Sequence, residues 1–352
     1  MMKTGQKANE VKTRLASSDD AAAWNDYVDS SPDHTYGHRW QWRDILRESF
    51  GVVPYYFLAE TDGRIVGVLP TVFMKSMLFG KFLVSLPWLD YGGPLTDNPR
   101  ISSLLVDKAS SLAREKNCRF FEMRAIRDRL EGLVEKTDKF SFFLDLTKGE
   151  EAVWKSFNAK ARNQVRKAVK LGLTAEVGGA ELINNFYRIF SYNMRDLGTP
   201  VWPKSLFTEI FRRFGRDVNI ALVKLDNNPI AAGLIIHYRN YSGVPSASAY
   251  RKYINLCPNN LLYWAIIKYC IERGSRTFDF GRSSLGSGTY HFKKQWVKDP
   301  GKQIWQYHLY GIENLPELNP NNPKFKTAIA VWRRLPLMLT NFLGPRIVTK
   351  IP

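Results

Sequence analysis

The chain has 352 residues, 44% hydrophobic and 13% aromatic, and its 51 Lys and Arg against 33 Asp and Glu give a formal charge of +18. So much apolar material excludes a disordered chain and suffices for two packed cores, while the charge points to anionic partners: nucleic acid, phosphorylated sugars or nucleotides, or an acidic membrane surface. Cys118, Cys257 and Cys270 are widely separated, with no Cys-x-x-Cys pair and no histidine at ligand spacing; this speaks against a disulfide framework or a metal site and for a reducing cytosol.

Residues 1–10 read as a disordered leader. Met1 to Ser18 hold no apolar segment, so no signal peptide is expected, and no apolar run approaches the ~20 residues of a spanning helix. Ser17-Ser-Asp-Asp20 offers N-caps for a helix through Trp24 and Tyr27, and residues 38–50 predict a second helix stopped by Gly51. Strands over 55–60 and 65–71 flank Thr61-Asp-Gly-Arg64, the strongest hairpin signal in the chain. A strand over 82–86, an amphipathic helix over 101–116 and strands over 120–124 and 140–146 complete the first half.

The second half opens with one long basic helix over 148–171 and a strand over 173–177. Helices over 181–196 and 204–214 follow, then a hairpin of strands 220–225 and 230–238 turned by Asp226-Asn-Asn-Pro229. A strand over 244–250, a helix over 258–273, and strands over 277–280 and 304–310 end the count. In the strand at 277–280, Phe278 and Phe280 share one face and Thr277 and Asp279 the other. Gly281 is expected to break it, and Gly286 and Gly288 to keep the loop that follows open to a close approach.

The same order of elements occurs twice, about 150 residues apart. It resembles a duplicated GCN5-related N-acetyltransferase fold, and the expected fold class is α/β with two tandem domains of that type, each a mixed, mostly antiparallel sheet flanked by helices. The expected boundaries are 11–146 for the first domain, 147–312 for the second, catalytic one, and 313–352 for a basic amphipathic tail.

Four stretches make the resemblance more specific. Phe278-Asp-Phe-Gly-Arg282 followed by Gly288-Thr-Tyr-His-Phe-Lys-Lys-Gln-Trp296 resembles the closing motif of the FemAB family. His38-Arg-Trp-Gln-Trp42 resembles its early Trp-containing helix. Arg162-Asn-Gln-Val-Arg-Lys-Ala-Val-Lys-Leu-Gly172 resembles its basic helix, and Leu197-Gly-Thr-Pro200 the loop beyond. The chain is most similar to the subset associated with exosortase and exopolysaccharide gene clusters, to which Leu318-Asn-Pro-Asn-Asn-Pro-Lys324 also corresponds. The resemblance implies an acyl or aminoacyl transferase acting on a cell-envelope or exopolysaccharide precursor, placed in the cytoplasm at the inner membrane face. The implied donor is aminoacyl-tRNA or, less favoured, an acyl-CoA. An acyl-CoA-dependent N-acyltransferase and a non-catalytic polysaccharide- or nucleic-acid-binding module are the alternatives.

Acyl transfer develops negative charge on the carbonyl oxygen, and a fixed cation beside it lowers the barrier. The motif gives that role to Lys293, with Asp279 orienting the acceptor or taking its proton; as a bland alternative, Asp279 bonds loop amides near Gly281. Phe292, Tyr290, Arg282, Lys204, Tyr250 and Arg43 are the candidate substrate-binding residues. Arg162, Arg166 and Lys170, spaced i, i+4, i+8, form a candidate phosphate track for the donor. His237 and His291 read as structural. Neither metal nor cofactor is expected: residues 251–260 lack the glycine-rich turn that holds the acetyl-CoA pyrophosphate in simple GCN5-like enzymes. The tail, residues 324–351, reads either as a helix docked on the second domain or as a segment lying on an anionic membrane, docking being favoured because Pro336 interrupts its stripe.

Overall fold

The structure, a computed structural model, describes residues 10–76, 80–125, 129–315 and 326–351. The expected leader, apart from Glu10, and the stretch 318–324 lie outside these residues. The chain divides into two compact units, one of Met1–Asp44, Val52–Glu135 and Ile304–Leu315, the other of Ile45–Gly51, Lys136–Gln303 and Pro316–Pro352.

In the first unit, strands β1 (Lys12–Leu15), β2 (Val53–Thr61), β3 (Arg64–Ser76), β4 (Gly80–Val84) and β5 (Phe120–Ala125) lie side by side in that order. Asp62 and Gly63 both take positive φ (50° and 73°), the left-handed pair that matches the twist of a two-residue hairpin, so β2 and β3 pair tightly. Helix α1 (Ala21–Ser30) follows a capping box between Ser17 and Asp20, as the sequence predicts. Helix α2 (Gln41–Phe50) starts later than expected, because residues 36–38 form a separate turn that buries His38. Helix α3 (Pro99–Glu115) lays Ile101, Leu105, Ala109 and Ala113 on the sheet against Phe57, Leu69 and Phe121.

The second unit holds β6 (Val134–Asp145, all but its first two residues), α4 (Gly149–Ser156), α5 (Ala159–Lys170), β7 (Thr174–Gly178), α6 (Ile183–Leu197), α7 (Lys204–Phe214), β8 (Val218–Leu225), β9 (Asn228–Tyr238), β10 (Tyr241–Ala249), α8 (Pro258–Glu272), β11 (Thr277–Ser284) and α9 (Gly288–Lys293). Its strands run in the order β6-β11-β10-β9-β8-β7. Helices α4, α5, α8 and α9 cover one face, where Phe142, Val165, Leu262, Ile266 and Phe278 share a core. The long helix expected over 148–171 is two, α4 and α5. Phe157 and Asn158 turn to extended backbone (ψ 152° and 157°), and the Asn158 side chain caps α5 by accepting the Ala161 N–H at 2.8 Å.

The closing strands are not where chain order suggests. Residues 140–146, read as ending the first half, belong to β6 beside β11, whereas the last strand, β12 (Gly301–Leu309), pairs antiparallel with β5 and completes the first unit's sheet. The tail forms α10 (Lys326–Arg334) and α11 (Leu337–Val348), both packed on α6.

Burial pushes His38 down to about 4 and His237 down to about 3, so both stay neutral when folded, while in the unfolded chain each takes a proton below its ordinary 6.5. Their contribution to stability is therefore complete above pH 6.5 and is lost as pH falls toward 4 and 3. Urea unfolding between pH 6.5 and 5 should show stability dropping by about 1 kcal/mol per histidine per pH unit, with a shallower drop in His38→Gln. A flat profile contradicts this.

Candidate active site at a fork in the second sheet

Within the second unit every pair of neighbouring strands with a recorded register is antiparallel except β10 and β11, which run parallel. Their register covers three pairs only, Tyr241↔Thr277, Ser242↔Phe278 and Gly243↔Asp279. Beyond these, β10 shifts between Gly243 and Ser246 and follows β9, while β11 shifts between Asp279 and Arg282 and follows β6. The two strands thus fork. Residue chemistry accounts for it: Pro245 has no N–H to give a neighbouring strand, and Gly281 sits at φ 73°, where a side chain is strained. Gly281 therefore makes a bulge rather than the strand end expected from sequence.

Two charged side chains hold the bulge. Asp279, 1% exposed, accepts the Gly281 N–H on Oδ1 at 2.7 Å and the Tyr241 hydroxyl on Oδ2 at 2.5 Å. Lys293, 7% exposed, donates from Nζ to the carbonyls of Gly281 (3.0 Å) and Arg282 (2.9 Å), 5.8 Å from the centre of the Phe142 ring. The β6–β11 register puts Asp279 and Arg282 on the sheet face shared by Phe143 and Ser141, opposite the face of Phe142 and Leu144. Asp279 and Lys293 accordingly grip one bulge from opposite faces.

Lys293 ends α9, a short helix where an open loop was expected. Ser287 caps it by accepting the Tyr290 N–H at 3.1 Å. Tyr290 packs edge-on against Phe140 and Phe142, Phe292 lies 5.3 Å from Tyr263, and Trp296 is buried 4.8 Å from Phe157. These rings fix the ammonium on the fork. Of the expected substrate-binding set, Tyr290 and Phe292 thus form the wall behind Lys293, and Arg282 stands on the other face.

The other predicted residues make contacts of their own. Arg162 turns back to the Lys155 and Phe157 carbonyls and closes the end of α4, while Arg166 lies over Trp154 at 5.6 Å. Arg166, Lys167 and Lys170 remain exposed on α5. Lys204 opens α7 and donates to Asn184 at 2.6 Å; Tyr250 packs edge-on against Tyr192 at 5.4 Å, and burial raises its hydroxyl pKa. Arg43 belongs to the first unit, over Trp40 at 5.0 Å. His237 is buried with Nδ1 2.7 Å from the Ser242 hydroxyl.

At the start of α8, Pro258 has no N–H, and the Asn260 and Leu261 amides donate to the Cys257 carbonyl. Sequence reading missed Lys139. It pairs with Ser284 across the fork's β6 edge, donates to that hydroxyl (2.5 Å) and to Asp138 (2.7 Å), and burial lowers its pKa. Alternation in Lys139-Phe-Ser-Phe-Phe143 carries the signal, but the strand expected over 140–146 begins at Val134, which leaves Lys139 outside the expected bounds. Among the described residues, no cluster of three or more His, Cys, Asp and Glu could hold a metal ion.

Residues 155–294, which contain the fork, match the family model described as an acetyltransferase (GNAT) domain. No curated protein matches the chain. Among solved structures, FemX superposes with TM-score 0.63 at 14% identity, over 90% of this chain and all of that one. A tandem GNAT protein from the clavulanic acid biosynthesis pathway gives 0.56 at 11%, over 87% and 100%. L-PGS from Bacillus licheniformis gives 0.50 at 15%, over 87% and 95%. Identities this low speak for the fold: tandem GNAT domains with mixed, mostly antiparallel sheets. With the matched domain, they support an acyltransferase of the GNAT type.

The fork should be brittle. Gly281→Ala is expected to cost about 1–2 kcal/mol through its positive φ, and Asp279→Ala about 1–3 kcal/mol by taking the carboxylate from the buried Gly281 amide and from the Tyr241 hydroxyl. Urea titration measures both. If neither variant shifts the midpoint, the bulge is not held as described.

Proposed function

We propose that the protein is a FemAB-like acyl or aminoacyl transferase that acylates a cell-envelope or exopolysaccharide precursor, with the donor's acyl arm entering the fork between β10 and β11. The observation that carries this reading is Lys293, an ammonium fixed at a parting of strands inside the matched acetyltransferase domain. An arm laid between separating strands meets main-chain groups that no neighbouring strand takes up, as in strand addition. The acceptor's amine or hydroxyl attacks the acyl carbon, and the carbonyl oxygen becomes negative. As the bond to the donor's oxygen or sulfur breaks, the leaving group departs with the proton that the acceptor gives up. Lys293 supplies the fixed positive charge beside that oxygen without reorganising.

Asp279, with one oxygen on Gly281 and the other on Tyr241, serves this reaction by shaping the bulge, the bland one of its two sequence readings. Lys139, Arg282 and Ser284 line the β6 side of the fork and are candidates for orienting the acceptor.

For the donor, the exposed cations of α5 favour a polyphosphate backbone such as tRNA, held by side chains. Coenzyme A, whose pyrophosphate would need the amides at the start of α8, is the second choice, because Asn260 and Leu261 already use theirs. The resemblance to the exosortase-associated subset favours an exopolysaccharide precursor as acceptor.

Lys293→Met should lower transfer by about 10²–10³-fold, the scale set by loss of one oxyanion donor. The readout is mass spectrometry of envelope precursors from cells with and without the variant. Its two carbonyls also lose a partner, so the variant should be less stable by about 1–3 kcal/mol. Lys293→Arg, which keeps the charge, separates the effects: recovered stability without recovered transfer indicates that the ammonium's position matters. Full transfer by Lys293→Met removes its catalytic role.

A further inference from the structure

Helix α11 carries one charged side chain, Arg346, in its twelve residues. One face is docked. Thr340, Gly344 and Val348, spaced i, i+4, i+8, are buried, and a Cβ on Gly344 would lie 2.8 Å from the Val201 backbone. Helix α10 is held alongside: Ile329 packs where Gly198 has no side chain, and Arg333 donates to the Leu197 carbonyl at 3.2 Å. The docking expected from sequence is therefore present.

The opposite face of α11 is apolar and bare. Met338 is 84% exposed and Phe342 62%, one turn apart, with Leu339 also exposed and Val331 of α10 54% exposed. A helix with one side in water normally carries polar residues there, and a contiguous exposed apolar patch marks an interaction surface. Charge selects the occupant. Between Lys326 and Ile351 stand Lys326, Arg333, Arg334, Arg346 and Lys350 and not one acidic residue. Arg346 lies 4.0 Å over the Phe342 ring, so a cation rides directly on the apolar face. A second copy would bring the same basic helices and another +18 against this surface, which opposes self-association. An anionic lipid leaflet answers both the apolar residues and the charge. Twelve residues make about 18 Å of helix, short of the ~30 Å bilayer core, so α11 lies in the interface and does not cross it.

We propose that the outer face of α10 and α11 is a membrane-docking surface that sets Met338, Leu339 and Phe342 among the acyl chains of an anionic leaflet, with Arg334, Arg346 and Lys350 at its phosphates. Docking rests on these helices alone and is independent of acyl transfer, so either reading can fail without the other.

The test is co-sedimentation of the full chain with large vesicles of phosphatidylglycerol and phosphatidylcholine, or of phosphatidylcholine alone, at physiological salt. Binding should be at least tenfold tighter to the anionic vesicles and weaken as salt rises. The double variant Met338→Asp/Phe342→Asp and the double variant Arg334→Glu/Arg346→Glu should each reduce it at least tenfold. Because all four side chains are exposed, the melting temperature should not move, which separates lost docking from unfolding. Absence of binding to anionic vesicles overturns the proposal. So does undiminished binding of the Met338→Asp/Phe342→Asp variant, which would show diffuse charge attraction only. A dimer in sedimentation equilibrium that this variant dissolves would give the face to a second copy and also overturn it.

Discussion

The second unit depends on one backbone distortion. A parallel pair of strands would continue to zip up unless something kept them apart, because each added residue gains hydrogen bonds. At Gly281 the chain adopts a conformation open to glycine at little cost, and two opposite charges lock it: Asp279 draws in the amide while Lys293 holds the carbonyl. Lys293 gives its protons to carbonyls of the bulge, and Asp279 takes one proton from the bulge and one from Tyr241 on β10. A buried charge so satisfied resists removal more than it adds stability, which makes it a device for fixing geometry. Everything proposed for the reaction follows from that geometry: where the strands part, which face the cation occupies and which face remains for an acceptor.

Local chemistry was readable where the cause was local. Asp62-Gly63 specified its hairpin, Ser17 its cap, and the Ile101-Leu105-Ala109 stripe its helix, since each acts within a few residues. The break at Phe157-Asn158 was hidden because its neighbours, Ala, Lys, Val and Arg, all suit a helix, and only the Asn158 side chain reaching Ala161 betrays the new start. Gly281 looks like a strand end in the sequence, because a glycine in a strand pattern signals disruption without saying whether the strand resumes. The helix at α9 was obscured in the same way by Gly286 and Gly288.

The site was legible through motif and opaque through chemistry. Residue types alone left Lys293 indistinguishable from its exposed neighbour Lys294; burial by Tyr290, Phe292 and Trp296 tells them apart, and that burial is long-range. Arg162 and Arg166 share a face as the spacing requires, yet one closes a helix end and the other lies on a tryptophan, uses that spacing cannot reveal. The exchange of β6 and β12 was invisible in principle. A strand keeps the same alternation whichever sheet receives it, so the repeat of elements read from the sequence is genuine while the pairing it suggests is not.

That exchange gives the molecule a timetable. The first unit's sheet lacks its β12 neighbour until residues 301–309 have been made, although β5 ends at Ala125. At ordinary synthesis rates of about 5–20 residues per second, the intervening chain takes on the order of ten seconds or more to emerge. Through that interval the edge of β5 that will receive β12 carries unpaired N–H and C=O groups, the kind of edge that recruits strands from other chains. The exposure is one of birth rather than of the finished fold. The first unit's sheet is therefore sealed late, by a strand translated well after its neighbour β5.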